Sequence, residues 1–509
     1  MSGKAEKRVW IAIAAAAVMA VGCSAQTGGK AETGENVQAG GDIPSGGDAQ
    51  EGGDAQEEGR NPSGNEEKES GQQKPTSPDP SQIQPFPDGE REEPAEPMEN
   101  GKRIVWLTDV HYLADSLTDR GEAFQNMVEH GDGKLTNYVW EITDAALEEI
   151  PMLSPDVVIL SGDLTLEGER RSHEELAQKL DQLEQEGIQV VVIPGNHDIN
   201  NPSASVYSGT DRYPAEPASP KDFERIYGNF GYLEAASRDA YSLSYTYDLG
   251  PSMRLLMLDT CQYETSNKIG GMIKTETYQW IEEQLEKARE DSVILLPVAH
   301  HNLLQESKVY VDDCTIEHSE ELIHMLEEEN IPLFLSGHLH VQHFMRNHDI
   351  GIYEIVTSSL STPPCQYGIL EYRDDETFSY HTRRVDIEKW ARKQGSKDEN
   401  LLNFHTYSPP MLKKIFYNQA YDAMKDSREE ETGSLFVKLT EEEKDQMARV
   451  YGDLNAACYA GKAYEVVKKA KEQPGYQMWR EYCYPAILYE YLEYIVEDAV
   501  QDYNTLHVE

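Results

Sequence analysis

The sequence predicts an α/β fold with a largely buried sheet, a low-complexity arm before it and a helical region after it. Three observations carry this. Short apolar runs of strand length alternate with amphipathic stretches of helical period between residues 103 and 385. Beyond residue 386 helical periodicity dominates and strand signals are few. Between Ser24 and Asn100 the chain is rich in Gly, Glu, Asp, Gln, Ser and Pro, with almost no aromatic or β-branched residues. At 509 residues the chain is too long for one ordinary domain.

The elements follow in order. Residues 1–22 are expected to be a signal segment: Lys4, Lys7 and Arg8 precede an apolar run from Val9 to Val21. That run is shorter than the ~20 residues that span a bilayer. Ala20-Val21-Gly22-Cys23 resembles a bacterial lipobox, with cleavage before Cys23 and lipidation of it, although Leu is commoner than Ala at the first position. An ordinary signal peptide with an incidental Cys is the alternative. Residues 23–100, which repeat GGDAQE at Gly46 to Glu57, are expected to be a disordered acidic linker, extended by its own charge. Residues 101–386 are expected to be the catalytic domain and 387–509 a helical domain.

Six apolar runs predict strands: Arg103–Leu107, Asp156–Leu160, Val190–Ile193, Arg254–Leu258, Val293–Val298 and Ile331–Leu335. Ser379–Val385 is a candidate last strand. Helical patterns at Asn137–Ile150, Gly168–Glu186, Thr277–Glu290 and Ser319–Glu328 lie between them. The C-terminal region shows helical period at Pro410–Lys425, Thr440–Tyr451, Lys462–Lys471 and Ala486–Gln501. Besides Cys23, five cysteines, Cys261, Cys314, Cys365, Cys458 and Cys483, cannot all pair and show no close ligand spacing, so structural thiols are expected.

The net charge is −47, from 45 basic and 92 acidic residues, which excludes a general basic surface for a nucleic-acid polymer. It leaves room for a small anion at a local metal site.

Polar residues sit at the same end of nearly every expected strand, where α/β sheets build their sites. They are Asp109 and His111, then Asp163, then Asn196, His197 and Asp198, then His300, then His338 and His340. Carboxylate, imidazole and amide donors suit divalent transition metals. In Asp109-Val110-His111 and in His338-Leu339-His340, alternation along an extended segment is expected to put both donors on one side. Gly162 before Asp163 permits a sharp turn, and a lone carboxylate can bridge two cations. Each pattern alone is commonplace in turns; five in order at strand ends are not. His173, His318, His343 and His381 lack this context and are read as ordinary surface or core residues.

Asp109-x-His111, Gly162-Asp163, Gly195-Asn196-His197-Asp198, His300 and Gly337-His338-x-His340 resemble the calcineurin-like metallophosphoesterase signature across about Arg103 to Asp386. SGDLTLEGE, IPGNHDINNP, VAHHNLL and LSGHLH are most similar to exported bacterial class III cyclic-nucleotide phosphodiesterases, some of them lipoproteins with a helical extension. The resemblance implies a β-sandwich flanked by helices. It implies two divalent metal ions, Mn, Fe, Zn or Co. Asp109, His111, Asp163 and His340 would hold the first metal, and Asp163, Asn196, His300 and His338 the second. The family's His-x-Pro pattern favours His300 over His301, with Asn302 in the Pro position. His197 would face the substrate as a catalytic residue, with Asp198 orienting its ring. Purple acid phosphatases carry a ferric-binding Tyr three residues after the bridging Asp; here Leu166 stands there, which argues against such a site.

The implied activity is metal-dependent phosphodiester hydrolysis of a small phosphoester, cyclic nucleotides first. An extracellular phosphomonoesterase, a diesterase on other phosphoesters, and a non-catalytic surface binding protein on this fold stay open. The segment Asn200–Ala240, with Tyr207, Tyr213, Tyr227, Phe230 and Tyr232, reads either as an aromatic lid or as an insertion packing its own aromatics. Export and lipid anchoring through Cys23 at the outer face of a bacterial cell membrane are expected.

Overall fold

Two mixed sheets form the body of the protein. The structure, a computed structural model, describes residues 95–508 apart from 308, 310–312, 347–350, 375–376 and 426–438. The signal segment, Cys23 and the linker as far as residue 94 lie outside the described residues. Residues 95–100, expected in the linker, already touch the fold: the Ala95 amide donates to the Met152 carbonyl at 2.7 Å.

The first sheet is built on three parallel strands, Lys102–Leu107 (β1), Val157–Ser161 (β2) and Gln189–Ile193 (β3). Their apolar runs are buried almost throughout, as parallel strands covered on both faces must be. Leu107 pairs with Leu160, and Leu160 with Val192, so all three chains leave the sheet at one level. The hairpin Ser205–Ser208 (β4) and Asp211–Pro214 (β5) stands apart. The second sheet holds Ser237–Arg238 (β6), Tyr245–Asp248 (β7), Met253–Leu258 (β8), Ile294–Ala299 (β9), Leu333–Ser336 (β10), His343–Arg346 (β11) and Tyr353–Val356 (β12), in the order β11-β12-β10-β9-β8-β7-β6. Gln366–Tyr372 (β13), Phe378–Arg384 (β14) and Thr505–Val508 (β15) return to the first sheet, whose order is β15-β14-β13-β1-β2-β3.

The period of two along strands explains the layering. Leu255, Met257, Leu296, Val298, Leu333 and Leu335 share a core with β1, β2 and β3. Their neighbours Leu256, Leu258, Leu295, Ala299 and Phe334 pack instead against Thr275–Asp291 and Ser319–Glu328, the helices on the outer face. The result is a sandwich with helices outside, the calcineurin-like arrangement that the resemblance implied.

The C-terminal region is helical, as expected, with one strand among the described residues. Ile387–Lys393, Glu399–Leu402, Phe404–Lys425, Glu441–Tyr459, Ala463–Lys471, Pro474–Tyr482 and Ala486–Asp498 are helices, and β15 then closes on β14. The helix expected from Pro410 starts at Phe404 and runs through Pro409 and Pro410. Its core joins Leu412, Phe416, Leu454 and Trp479 to Leu339, Val341 and Met345 of the sandwich. All five described cysteines are free thiols, four of them buried. Of the six aromatics in Asn200–Ala240, Tyr207, Phe223, Tyr227, Phe230 and Tyr232 are buried and only Tyr213 is exposed, so the segment packs its aromatics inward, as an insertion does, and does not present them as a lid.

Candidate metal centre

The loops after β1, β2, β3, β9 and β10 converge at one end of the sandwich. Asp109, His111, Asp163 and His340 bring their donor atoms within 4.8 Å of one another, mostly buried. His111 Nε2 and His340 Nε2 face each other at 3.1 Å, and Asp109 Oδ1 lies 3.2 Å from His340 Nε2. Asp163 Oδ2 stands 3.8 Å from His111 Nε2 on one side and 3.4 Å from His300 Nε2 on the other. His300 Nε2 is also 3.1 Å from Asn196 Oδ1. The His338 ring lies beside that of His300, with centroids 5.1 Å apart. All seven expected metal donors are therefore gathered into one site.

The local backbone differs from the expectation. Asp109, His111, Asp163, His338 and His340 all have positive φ, between 48° and 70°. Neither Asp-x-His nor His-x-His is an extended segment; each alternates left-handed residues with ordinary ones and still presents two donors to one point. Non-glycine residues adopt this region rarely, and such strain gathers at functional sites. Gly162 has φ +93°, and a Cβ there would lie 2.6 Å from His300 Nδ1, so only glycine lets the two loops close.

Protein groups aim the rings. His300 Nδ1 bonds the Ser161 carbonyl at 2.9 Å and His338 Nε2 the Asp313 carbonyl at 2.9 Å. Donation to a carbonyl fixes the tautomer and leaves the other nitrogen with its lone pair. His301 can also be grouped with His300 and His338 by distance alone. Its Nδ1 is held by the Thr260 hydroxyl at 2.7 Å and its Nε2 by the Ile269 carbonyl at 2.8 Å, so neither nitrogen is left to bind a cation. Asp109 Oδ2 accepts from Thr108 Oγ1 and the His338 amide, and Ser359 and Ser361 donate to the Asp109 carbonyl. Asp109 Oδ1, fully buried, has no hydrogen-bond partner. An orphaned carboxylate oxygen beside two facing imidazole nitrogens fits a divalent cation.

Two family profiles match the chain: calcineurin-like phosphoesterase over residues 102–342, and the C-terminal domain of cyclic nucleotide phosphodiesterase over residues 386–502. Residues 102–342 are a calcineurin-like phosphoesterase domain. With this domain and relatives named as phosphodiesterases, the chain is a hydrolase acting on phosphoesters, and calcineurin-like phosphoesterases use divalent metals. This phosphoesterase is 22% identical over 273 residues to a probable cyclic nucleotide phosphodiesterase of Moraxella catarrhalis, covering 53% of this chain and 82% of that protein. It is 22% identical over 250 residues to a 3',5'-cyclic-nucleotide phosphodiesterase of Nostoc, covering 48% of this chain and 74% of that one. A dimetal phosphatase of Danio rerio aligns at 14% identity and a TM-score of 0.41, covering 56% of this chain and 97% of that one.

The electrostatics of the phosphoesterase suit cations. Burial works against the charge of Asp163, yet His300 and His197 hold its carboxyl well below the usual range. Burial likewise opposes the charge of Asp109, and His340 outweighs it. Burial lowers His300 too, but Asp163 raises it to about 9. Burial, and after it the charge of His300, lower His338 to about 4. Without a metal, then, the Asp163 carboxylate and the His300 ring favour each other's charged forms across 3.4 Å.

His197 enters the site beside these donors. Its Nε2 is 3.9 Å from Asp163 Oδ2, and its amide donates to Asp163 Oδ1 at 2.8 Å. Its Nδ1 bonds the Leu166 carbonyl at 2.9 Å, with Glu167 Oε2 at 3.3 Å. This corrects the role expected of Asp198. The Asp198 carboxylate accepts from the amides of Gly195, Leu164 and Thr165 and from the Thr165 hydroxyl, and so ties the β2 and β3 loops together. Leu166 and Glu167 orient the His197 ring instead. His173, read as ordinary, is fully buried and braces the same loop through the Asp198 carbonyl and Tyr227. Asn267 holds the Asn196 carbonyl at 2.7 Å. Neither residue has a sequence pattern that announces it, because each acts across a long separation on a backbone group.

Proposed function

We propose that this phosphoesterase hydrolyses phosphodiesters, cyclic nucleotides first, with two divalent cations. Asp109, His111 and His340 would hold one, and Asn196, His300 and His338 the other, with Asp163 shared. One observation carries this reading: Asp163 Oδ2 lies within 4 Å of donors from both groups, His111 at 3.8 Å and His300 at 3.4 Å. The names of the relatives support the choice of cyclic nucleotides.

When bound, such cations lower the pKa of water to near neutrality and neutralise phosphate charge. The chain's own groups do the rest. Leu166 accepts the Nδ1 proton of His197, which leaves Nε2 facing the site, and Glu167 Oε2 lies 3.3 Å from Nδ1; as imidazolium His197 carries its second proton on Nε2. His197 then donates that Nε2 proton to the leaving oxygen as the P–O bond breaks. Such general-acid help is worth roughly 10²–10⁴-fold. With a cyclic nucleotide, water adds to phosphorus, one ribose oxygen leaves, and the product is a nucleoside monophosphate.

The test is a panel of cyclic nucleotides, linear diesters and monoesters assayed on the Mn-loaded full chain. Cyclic nucleotides should be turned over fastest; a preference for monoesters overturns the diesterase reading. We further propose export and lipid anchoring at Cys23, to the outer face of a bacterial cell membrane. Palmitate labelling that persists in Cys23→Ala would refute it.

A further inference from the structure

His343 is a buried imidazole outside the metal centre, at the seam between the sandwich and the C-terminal helices. It stands on β11, three residues after His340. Its side chain is 8% exposed, and its Nε2 lies 2.9 Å from Asp498 Oδ2 at the end of the helix Ala486–Asp498. The ring also lies against Tyr503, with centroids 4.2 Å apart, and the Tyr503 hydroxyl sits 2.9 Å from Asp498 Oδ1. A second contact runs beside the first. Tyr494, one turn earlier on the same helix face, donates to the Glu306 carbonyl at 2.6 Å, with Glu306 Oε1 at 2.9 Å. Glu306 belongs to the loop after β9, six residues beyond His300. One helix therefore grips two segments, each of which leads back to a metal donor.

The groups that bear on His343 are carboxyls: Asp498 from the helix, Glu306 from the loop and Glu354 from β12. Tyr494, Tyr503 and Cys458 stand near these acids, and burial pushes all three up, so they stay protonated. Burial works against the charge of His343, but Asp498 outweighs it, with help from Glu306 and Glu354, and the ring is raised above its ordinary 6.5. Burial raises Glu306 above 4.5, and the charge of His343 opposes that. With Nε2 donating to Asp498, the titrating position is Nδ1, which is buried and has no hydrogen-bond partner. The proton thus changes the charge of the ring and leaves its bond to Asp498 in place. A raised imidazole adds stability that is fully present below pH 6.5 and lost as pH rises through the raised value. Glu306, also raised, adds stability below pH 4.5 and loses it in the same direction. Rising pH weakens the seam on both counts.

We propose that His343 and Asp498 form a pH-operated latch: the charged ring holds the helix Ala486–Asp498 onto β11 and the loop after β9, and loss of its proton slackens that hold. A charge-assisted hydrogen bond across a buried seam suits a latch, because removing the charge weakens the contact without breaking it. The gripped segments follow His300 and His340, so the latch sets how firmly the C-terminal helices brace those loops. The inference needs neither a bound metal nor an activity, and it stands or falls apart from the hydrolytic reading.

Hydrogen exchange of the full chain, converted to protection factors, tests this at pH 6 and pH 9 for wild type, His343→Gln and Asp498→Asn. Gln keeps an N–H for Asp498 and does not titrate. In wild type, protection of residues 486–498 and 343–346 should fall together, about five-fold between the two pH values, because a charge-assisted hydrogen bond is worth about twice a neutral one. In His343→Gln and in Asp498→Asn the same residues should change by less than about two-fold over that range. Wild-type protection that is equal at both pH values overturns the proposal. A fall that persists undiminished in His343→Gln also overturns it, because another group then titrates. So does a fall confined to residues 486–498, because the helix would then fray without letting go of β11. If His343→Gln does not fold, Asp498→Asn decides by the same criterion.

Discussion

Asn196 and His197 are neighbours in the chain with opposite expected behaviour. Asn196 Oδ1 reaches the His300 ring, while His197 turns its Nδ1 to a carbonyl. Asn196→Ala should therefore lower metal content at one position and remove most activity. His197→Ala should keep its metal and slow turnover by roughly 10²–10⁴-fold. Elemental analysis of the two purified variants checks both; metal loss in His197→Ala would make it a ligand and refute the assignment. A third expectation concerns protons. His300 is raised from 6.5 to about 9 by Asp163, so in metal-free protein its proton adds stability that is fully present below pH 6.5 and lost as pH rises through about 9. Metal needs the unprotonated ring, so its uptake near pH 8 should release protons. Calorimetry in two buffers of different ionisation enthalpy should show different apparent heats; equal heats would contradict a protonated His300 in the metal-free protein.

At the scale of elements, β12 is the informative one. Glu354 in its middle is fully buried. It accepts from the amides of Leu303 and Leu304 and from the Ser336 hydroxyl at 2.5 Å. It thereby locks the loop after His300 to the end of β10, just ahead of His338. Glu354→Ala should cost about 3 kcal/mol by leaving these donors unpaired, and should also reduce metal content. Burial raises Glu354 from 4.5 to about 7, so its contribution is present below pH 4.5 and lost as pH climbs through about 7. Urea unfolding across that range should be flatter in Glu354→Gln; an unchanged slope would contradict it. The same residue shows why parts of the fold were hidden in the sequence. β1, β2, β3, β8, β9 and β10 are near-continuous apolar runs and could be read directly. β12 carries a charge in mid-strand, and β13 contains Gly368, where the Tyr380 ring packs so close that a Cβ would meet it at 2.6 Å. Such strands are held by long-range partners and lack periodicity of their own. The metal donors were legible because each ends a readable strand. Leu166, Glu167 and Asn267 were not, because their roles depend on contacts between distant loops.

At the scale of the molecule, the C-terminal helices and the sandwich share a core that reaches the metal donors. Leu339 and Val341 alternate with His338 and His340, and both apolar residues belong to the helical core. His343 on β11 pairs with Asp498 at 2.9 Å, Tyr494 donates to Glu306, and β15 extends the first sheet. Removing residues 387–509 should therefore give a chain that is insoluble or holds little metal; a soluble truncation with wild-type metal content would contradict this. The charge of −47 opposes an anionic substrate at long range, so the site must attract phosphate locally. We propose that the converging loops form a metal centre for phosphodiester hydrolysis. Its most direct test is to strip metal from the full chain with a chelator, then assay cyclic AMP before and after Mn is restored. The stripped protein should show no turnover, and nucleoside monophosphate formation should return with Mn. Turnover without metal, or none after Mn is bound, would contradict it.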